Sequence, residues 1–173
     1  MRHLLYPGGL SESTYEIPFE KLYEEGYRGI IFDIDNTLVP HGAPADERSI
    51  ALFKRLHEIG FKTLLLSNNK EPRVKSFADD VESAYIYKAG KPSLKGYLKS
   101  MEDMETEPAT TLFIGDQIFT DIWGANRAGI RTILVKQIDK KEEIQIILKR
   151  RLEAIVLFFY KRRKNDEGCK GYN

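Results

Sequence analysis

Five short apolar runs recur along the chain, and each is followed by a segment whose apolar residues return every three or four positions. The runs are GIIFDI (29–34), KTLLLS (62–67), AYIYKA (84–89), TLFIGD (111–116) and RTILVK (131–136). Between them lie ADERSIALFKRLHEIG (45–60), EPRVKSFADDV (71–81), PSLKGYLKSMEDM (92–104) and FTDIWGANRAG (119–129). In the first of these segments Ile50, Phe53, Leu56 and His57 fall at helical spacing, with Asp46 placed to cap the helix and Gly60 to stop it. Gly129 is a second stop signal. YEIPFEKLYEEG (15–26) reads as a further helix leading into the first strand. Strands alternating with helices predict βαβ units and an α/β fold, a parallel sheet of about five strands with helices on both faces. Near-continuous apolar runs suit strands covered on both sides.

A chain of 173 residues with 42% apolar and 31% charged content is long enough to bury one core without a disulfide or a structural metal. Residues 1–136 form the expected core, and 137–173 a basic amphipathic C-terminal helix and polar tail within the same domain. The net charge of +1 is unevenly spread, with a mildly acidic body and a basic end. KKEEIQIILKRRLEAIVLFFYKRRKN (140–165) places Ile144, Ile147, Leu148, Leu152, Ile155 and Phe159 at helical spacing and carries two KRR clusters, at 149–151 and 161–163. That apolar core is short for a bilayer span, which takes about 20 residues. Three roles fit it: a helix lying on an anionic membrane, a helix packed on the sheet, or a pairing element in an oligomer. MRHLLYPGG has no secretory apolar region, so a cytoplasmic location is expected, with the inner face of the membrane as a peripheral site. Cys169 has no partner cysteine.

The chemistry sits where the strands end. In open parallel sheets ligands bind outside the carboxyl ends of the strands. There the chain places Asp33 and Asp35 after the first run, Ser67, Asn68 and Asn69 after the second, and Asp116 after the fourth. Lys91 follows the third run by a short loop, and Thr120 and Asp121 follow Asp116 closely. Converging carboxylates repel unless a cation neutralises them, and oxygen ligands without cysteine or histidine favour Mg²⁺ over zinc. The set suits phosphoryl transfer: Asp33 attacks phosphorus, Asp35 moves the proton, and lysine, hydroxyl and metal offset the developing charge.

DIDNT (33–37), SNN (67–69), KP (91–92) and GDQIFTD (115–121) resemble, in order and spacing, the four motifs of the haloacid dehalogenase (HAD) superfamily. The details are closest to the YqeG-type phosphatases of subclass IIIA, a group related to phosphatidylglycerophosphate phosphatases. The resemblance implies a Rossmann-like core and a Mg²⁺-dependent phosphatase working through an aspartyl-phosphate. It assigns Asp33 as nucleophile, Asp35 as acid and base, Ser67 as a phosphoryl ligand and Lys91 as the stabiliser of the intermediate. Mg²⁺ is then held by the Asp33 side chain, the Asp35 backbone carbonyl and Asp116. Asp121 and Thr120 support the site, and Thr37, Asn68 and Asn69 complete the phosphate- and substrate-binding set.

The intervals from Asp33 to Ser67 and from Ser67 to Lys91 leave no room for a cap domain. An open site suits a large or surface-borne phosphomonoester, and the family resemblance, taken with this and the basic helix, implies phosphatidylglycerophosphate or a similar phospholipid monoester. A soluble phosphomonoester, nucleotide or phosphoprotein is the alternative substrate. A non-catalytic scaffold in a ribosome-associated complex is the alternative of another class, although no extended nucleic-acid surface is evident. His41, close after the nucleophile loop, and Arg73, after the second strand, are within reach of a substrate or sit as surface residues. Trp123 reads as packing.

Overall fold

The structure, a computed structural model, describes residues 3–139 and 152–163. Its strands are β1 (Gly9–Ser11), β2 (Gly29–Phe32), β3 (Lys62–Leu66), β4 (Ala84–Ile86), β5 (Thr111–Gly115) and β6 (Arg131–Val135). They form a six-stranded sheet in the order β1-β6-β5-β2-β3-β4, parallel at every pairing. The helices are α1 (Phe19–Glu24), α2 (Glu47–Ile59), α3 (Glu71–Asp80), α4 (Leu94–Met104), α5 (Trp123–Arg127) and α6 (152–163).

The strand that apolar patterning does not reveal is β1. It is a three-residue edge strand with one apolar side chain, and it exists because Gly9, Leu10 and Ser11 pair with Ile133, Leu134 and Val135. The run 84–89 is strand only to Ile86, because Lys88 (φ 45°) and Gly90 (φ 65°) then turn the chain. The segment 119–129 also departs from a plain helix: a π-type turn (Ile118–Ile122) precedes the short α5.

Alternation along β2 sorts the core. Ile30 and Phe32 face α1, α2 and α3, where Phe19, Phe53, Leu56, Val74 and Phe77 are buried. Ile31 faces the other way, with Phe113, Tyr97 and Met101 of α4, and Ala125 of α5. Helices thus cover both faces. Asp46 caps α2 by accepting from the Ser49 amide at 2.8 Å, the Ser49 hydroxyl answers its backbone N–H, and Gly60 stops the helix at φ 111°. Of the positions expected inside, Phe53 and Leu56 are buried, whereas Ile50 is exposed and Leu52 takes its place.

Gly124 lets α5 approach α4. A Cβ there lies 2.5 Å from the Tyr97 ring, which is fully buried and donates its hydroxyl to the Thr120 carbonyl at 2.6 Å. Since the ring has nowhere to go, Gly124→Ala is expected to cost about 2–3 kcal/mol, read from denaturant unfolding.

Of the predicted helix 140–165, residues 152–163 are helical, while 140–151, 164 and 165, like Cys169, lie outside the described residues. Val156 and Leu157 of α6 pack against Ile118, Ile122 and Leu134, and Tyr160 meets Tyr6 edge-on at 5.3 Å between ring centres. Leu152, Ile155 and Phe159, the stripe picked out by spacing, are instead more than half exposed.

Candidate active site

The chain leaves β2 at Phe32 and places Asp33 and Asp35 on one side, with Ile34 between them driven fully into the core. The turn is compact: the Thr37 and Leu38 amides donate back to the Ile34 carbonyl, and Asn36 takes a left-handed φ of 61°. Thr37 is thereby set beneath the site, sharing its hydroxyl between the Asp33 and Asp116 carboxylates at 3.3 Å each.

Lys91 is the centre of charge. Its Nζ donates to Asp33 at 2.5 Å and to Asp121 at 2.8 Å, with the side chain 3% exposed. Asn68 braces it, accepting from the Lys91 backbone N–H at 2.8 Å and donating to its carbonyl at 3.3 Å. Burial pushes the Asp33 carboxyl up to about 6, Lys91 opposes the rise, and Asp121 adds to it. Burial alone disfavours the Lys91 ammonium, but Asp121 and Asp33 more than reverse this and hold it charged above the ordinary lysine range.

Asp35 belongs to a separate arrangement. It accepts from the Asn69 amide at 2.5 Å, the Gly42 backbone N–H at 2.7 Å and Arg73 at 3.2 Å. Every one of these partners donates, so both Asp35 oxygens are engaged as acceptors. Ser67 is buried at the end of β3, its hydroxyl accepting from the Asn69 amide at 3.2 Å. Thr120 donates its hydroxyl to Gln117. Asp33, Asp35, His41, Ser67, Asn68, Asn69, Lys91, Gln117, Thr120 and Asp121 line one recess of about 150 Å³.

Carboxylate oxygens of Asp33, Asp116 and Asp121 lie within 4.8 Å of one another. Three buried carboxylates crowd together here with the Lys91 ammonium against two of them, and the donors are all oxygen. This set fits a hard divalent cation. Asp121, expected to support the metal site or Lys91, does both: it is the partner of Lys91 and a member of the acidic triad.

All four strand-end motifs therefore meet at one edge of the sheet. Sequence spacing alone missed the Gly42 amide, the Tyr97 hydroxyl under the Thr120 carbonyl and Glu153 of α6, and left Arg73 without a role. Glu153 had a signal: it is the one acid at helical spacing with Val156, Leu157 and Tyr160.

A parallel α/β sheet bearing carboxylates, a lysine and a hydroxyl at its carboxyl edge defines a phosphoryl-transfer enzyme. Comparison with known proteins agrees. The HAD-hydrolase-like family model matches residues 88–147. The probable phosphatase YqeG of Bacillus subtilis is 36% identical over 94% of this chain and 95% of its own length. The chloroplastic/mitochondrial phosphatidylglycerophosphate phosphatase 1 of Arabidopsis thaliana is 29% identical over 82% of this chain but 44% of its own. Among solved structures, the cobalt-bound deoxy-D-mannose-octulosonate 8-phosphate phosphatase of Haemophilus influenzae shares the fold, with a TM-score of 0.53 at 17% identity over 66% of this chain and 70% of that one. The chain belongs to the HAD-like hydrolase family and is one of its phosphatases.

Proposed function

We propose that this phosphatase is Mg²⁺-dependent, works through an aspartyl-phosphate on Asp33, and acts on a phospholipid monoester such as phosphatidylglycerophosphate. The observation that carries the chemistry is the junction of Asp33, Lys91 and Asp121, with Asp35 beside it in the same recess. An Asp33 oxygen forms a bond to phosphorus while the bond from phosphorus to the substrate oxygen breaks, and Asp35 gives that oxygen a proton. Asp35, now a carboxylate, takes a proton from water, whose oxygen displaces Asp33 and releases phosphate. Lys91 and the Ser67 hydroxyl hold phosphoryl oxygens. Asp33, the Asp35 carbonyl and Asp116 would hold Mg²⁺, with Asp121 beside them, and the ion when bound offsets phosphoryl charge.

The lipid reading rests on three supports. The described residues between the motifs build only helices and strands of the sheet, so nothing inserted there covers the recess. A cavity of about 540 Å³, walled by Leu10, Ile118, Leu134 and Leu157 with Lys136 and Lys161, reaches Asp116. Finally, α6 exposes Leu152, Ile155, Phe158 and Phe159 beside the exposed Lys161, Arg162 and Arg163. Among the described residues no helix is long and apolar enough to cross a membrane, so such a face suits peripheral contact. The relative named for phosphatidylglycerophosphate adds to the case.

Phosphate release with Mg²⁺ is expected to be faster from phosphatidylglycerophosphate in mixed micelles than from p-nitrophenyl phosphate or soluble monoesters. The protein is expected to co-sediment with anionic but not neutral vesicles, and Phe158→Ser with Phe159→Ser to weaken that binding. Release from soluble esters alone, with no vesicle binding, keeps the hydrolase chemistry and removes the lipid.

A further inference from the structure

Glu153 is a buried carboxylate, 5% exposed, on a helix that contributes none of the four motifs. Its Oε1 accepts from the backbone N–H of Ile118 at 2.8 Å and of Phe119 at 3.4 Å. These amides open the helical segment that runs from Ile118 to Arg127, where no earlier turn supplies acceptors. The preceding amide, Gln117, is taken by Asp121 Oδ2 at 3.1 Å. Three successive amides between Asp116 and Asp121 are therefore pinned by two carboxylates, one local and one delivered from 34 residues further along the chain. A second tie joins the same C-terminal part to the nucleophile turn: the Ile138 amide donates to the Asn36 carbonyl at 3.2 Å and the Asp139 amide to the Asn36 side chain at 3.2 Å.

We propose that Glu153 is a positioning residue, whose oxygen holds the loop between Asp116 and Asp121 so that both carboxylates stand ready for a divalent cation. The placement has a physical cost that argues for a purpose. A fourth acid near three others is unfavourable unless its acceptors are filled, and an apolar residue would serve simple packing against Ile118, Ile122 and Leu134 equally well. Glu153 at this point instead takes the two amides that open this turn, adding a tie from a distant helix to those that Lys91, Thr37 and the Gln117 amide make to the two carboxylates. The role concerns its capacity to accept hydrogen bonds, so glutamine, which keeps an acceptor oxygen of the same reach, should replace it, and methionine of similar bulk should not.

The inference rests on the divalent-metal reading of the site, and the test separates the two. Mg²⁺ binding to the full-length protein is measured by calorimetry for wild type, Glu153→Gln and Glu153→Met, alongside the ¹⁵N–¹H shifts of the Ile118 and Phe119 amides in chelator. Glu153→Met is expected to bind Mg²⁺ about tenfold more weakly and to move both amide signals, while Glu153→Gln stays within about threefold of wild type. Equal losses in both variants, or unchanged binding and amide shifts in the methionine variant, overturn the proposal. If wild type binds no Mg²⁺, the metal reading fails by itself, and the metal-free amide shifts still decide whether Glu153 holds the loop.

Discussion

Asp33→Asn is expected to remove phosphatase activity by at least about a thousandfold and, in chelator at pH 7.5, to raise the stability of the protein. The first effect follows from the role proposed for Asp33 as the nucleophile. The second follows from burial. Asp33 in the folded chain binds its proton up to about pH 6, against 3.8 for an ordinary aspartate, chiefly because burial disfavours its charge. Between those values the folded state carries more protons than the unfolded one. Stability conferred by the neutral form is therefore present at low pH and is lost as pH rises through this window, at about 1.4 kcal/mol per unit. Above pH 6 the loss is complete, at about 3 kcal/mol. Asparagine has no charge to bury, but it accepts less strongly from Lys91, so the net gain is set at about 1–2 kcal/mol. Thermal unfolding in chelator between pH 4 and 8 checks this: the wild type should lose stability toward neutral pH and the variant should lose less. With saturating Mg²⁺ the difference should shrink, because the cation rewards the carboxylate that only the wild type supplies. A variant that keeps its activity, or that melts earlier than wild type in chelator at pH 7.5, contradicts the account.

Lys91→Met should have the opposite sign. The ammonium lies between Asp33 and Asp121, almost wholly out of water, and no other cation contacts either acid among the described residues. Removing it leaves the buried Asp33 and Asp121 carboxylates without the ammonium they share, and breaking such a pair by deleting one partner costs about 3–5 kcal/mol. The variant remains able to fold at low pH, because the carboxylates can take up protons in place of the lost charge. Its deficit in chelator should therefore be largest near pH 8 and shrink below pH 6, and Mg²⁺ should recover part of it. Activity should fall with it, because the proposed mechanism has Lys91 hold a phosphoryl oxygen. Loop geometry is not expected to collapse, because Asn68 clasps the backbone of residue 91 and not its side chain. Equal melting of wild type and Lys91→Met in chelator at pH 8 would show that the triad is not charged as described.

These two residues also show why the acidic cluster is costly to keep. Asp33, Asp116 and Asp121 crowd buried carboxylates together, and a divalent ion or protons would relieve their mutual repulsion. The weakness of the metal-free site and its readiness for a dication have the same electrostatic cause. Glu153 adds to this by fixing backbone without entering the triad.

The apolar runs determined much of this in advance. Strands buried on both faces must be nearly all apolar, so β2, β3, β5 and β6 are legible from GIIF, KTLLL, TLFIG and RTILV, and a parallel sheet follows from the helices between them. Because a parallel sheet gathers strand ends at one edge, the meeting of Asp33, Ser67, Lys91 and Asp116 was legible too, as were the cap of α2 at Asp46 and its stop at Gly60. These are local or periodic properties, carried by neighbouring residues. Pairing across long sequence separation is not. Only the folded chain could make Gly9–Ser11 a strand, since its reason to be extended is β6, more than a hundred residues away. Only tertiary contact could set Asn68 on the Lys91 backbone, put Arg73 and the Gly42 amide on Asp35, and turn the Leu152, Ile155 and Phe159 stripe of α6 outward while Glu153 turned in. Residue type and spacing determine which groups reach the edge of the sheet; which group holds which is decided by distances that exist only once the sheet has closed on its helices.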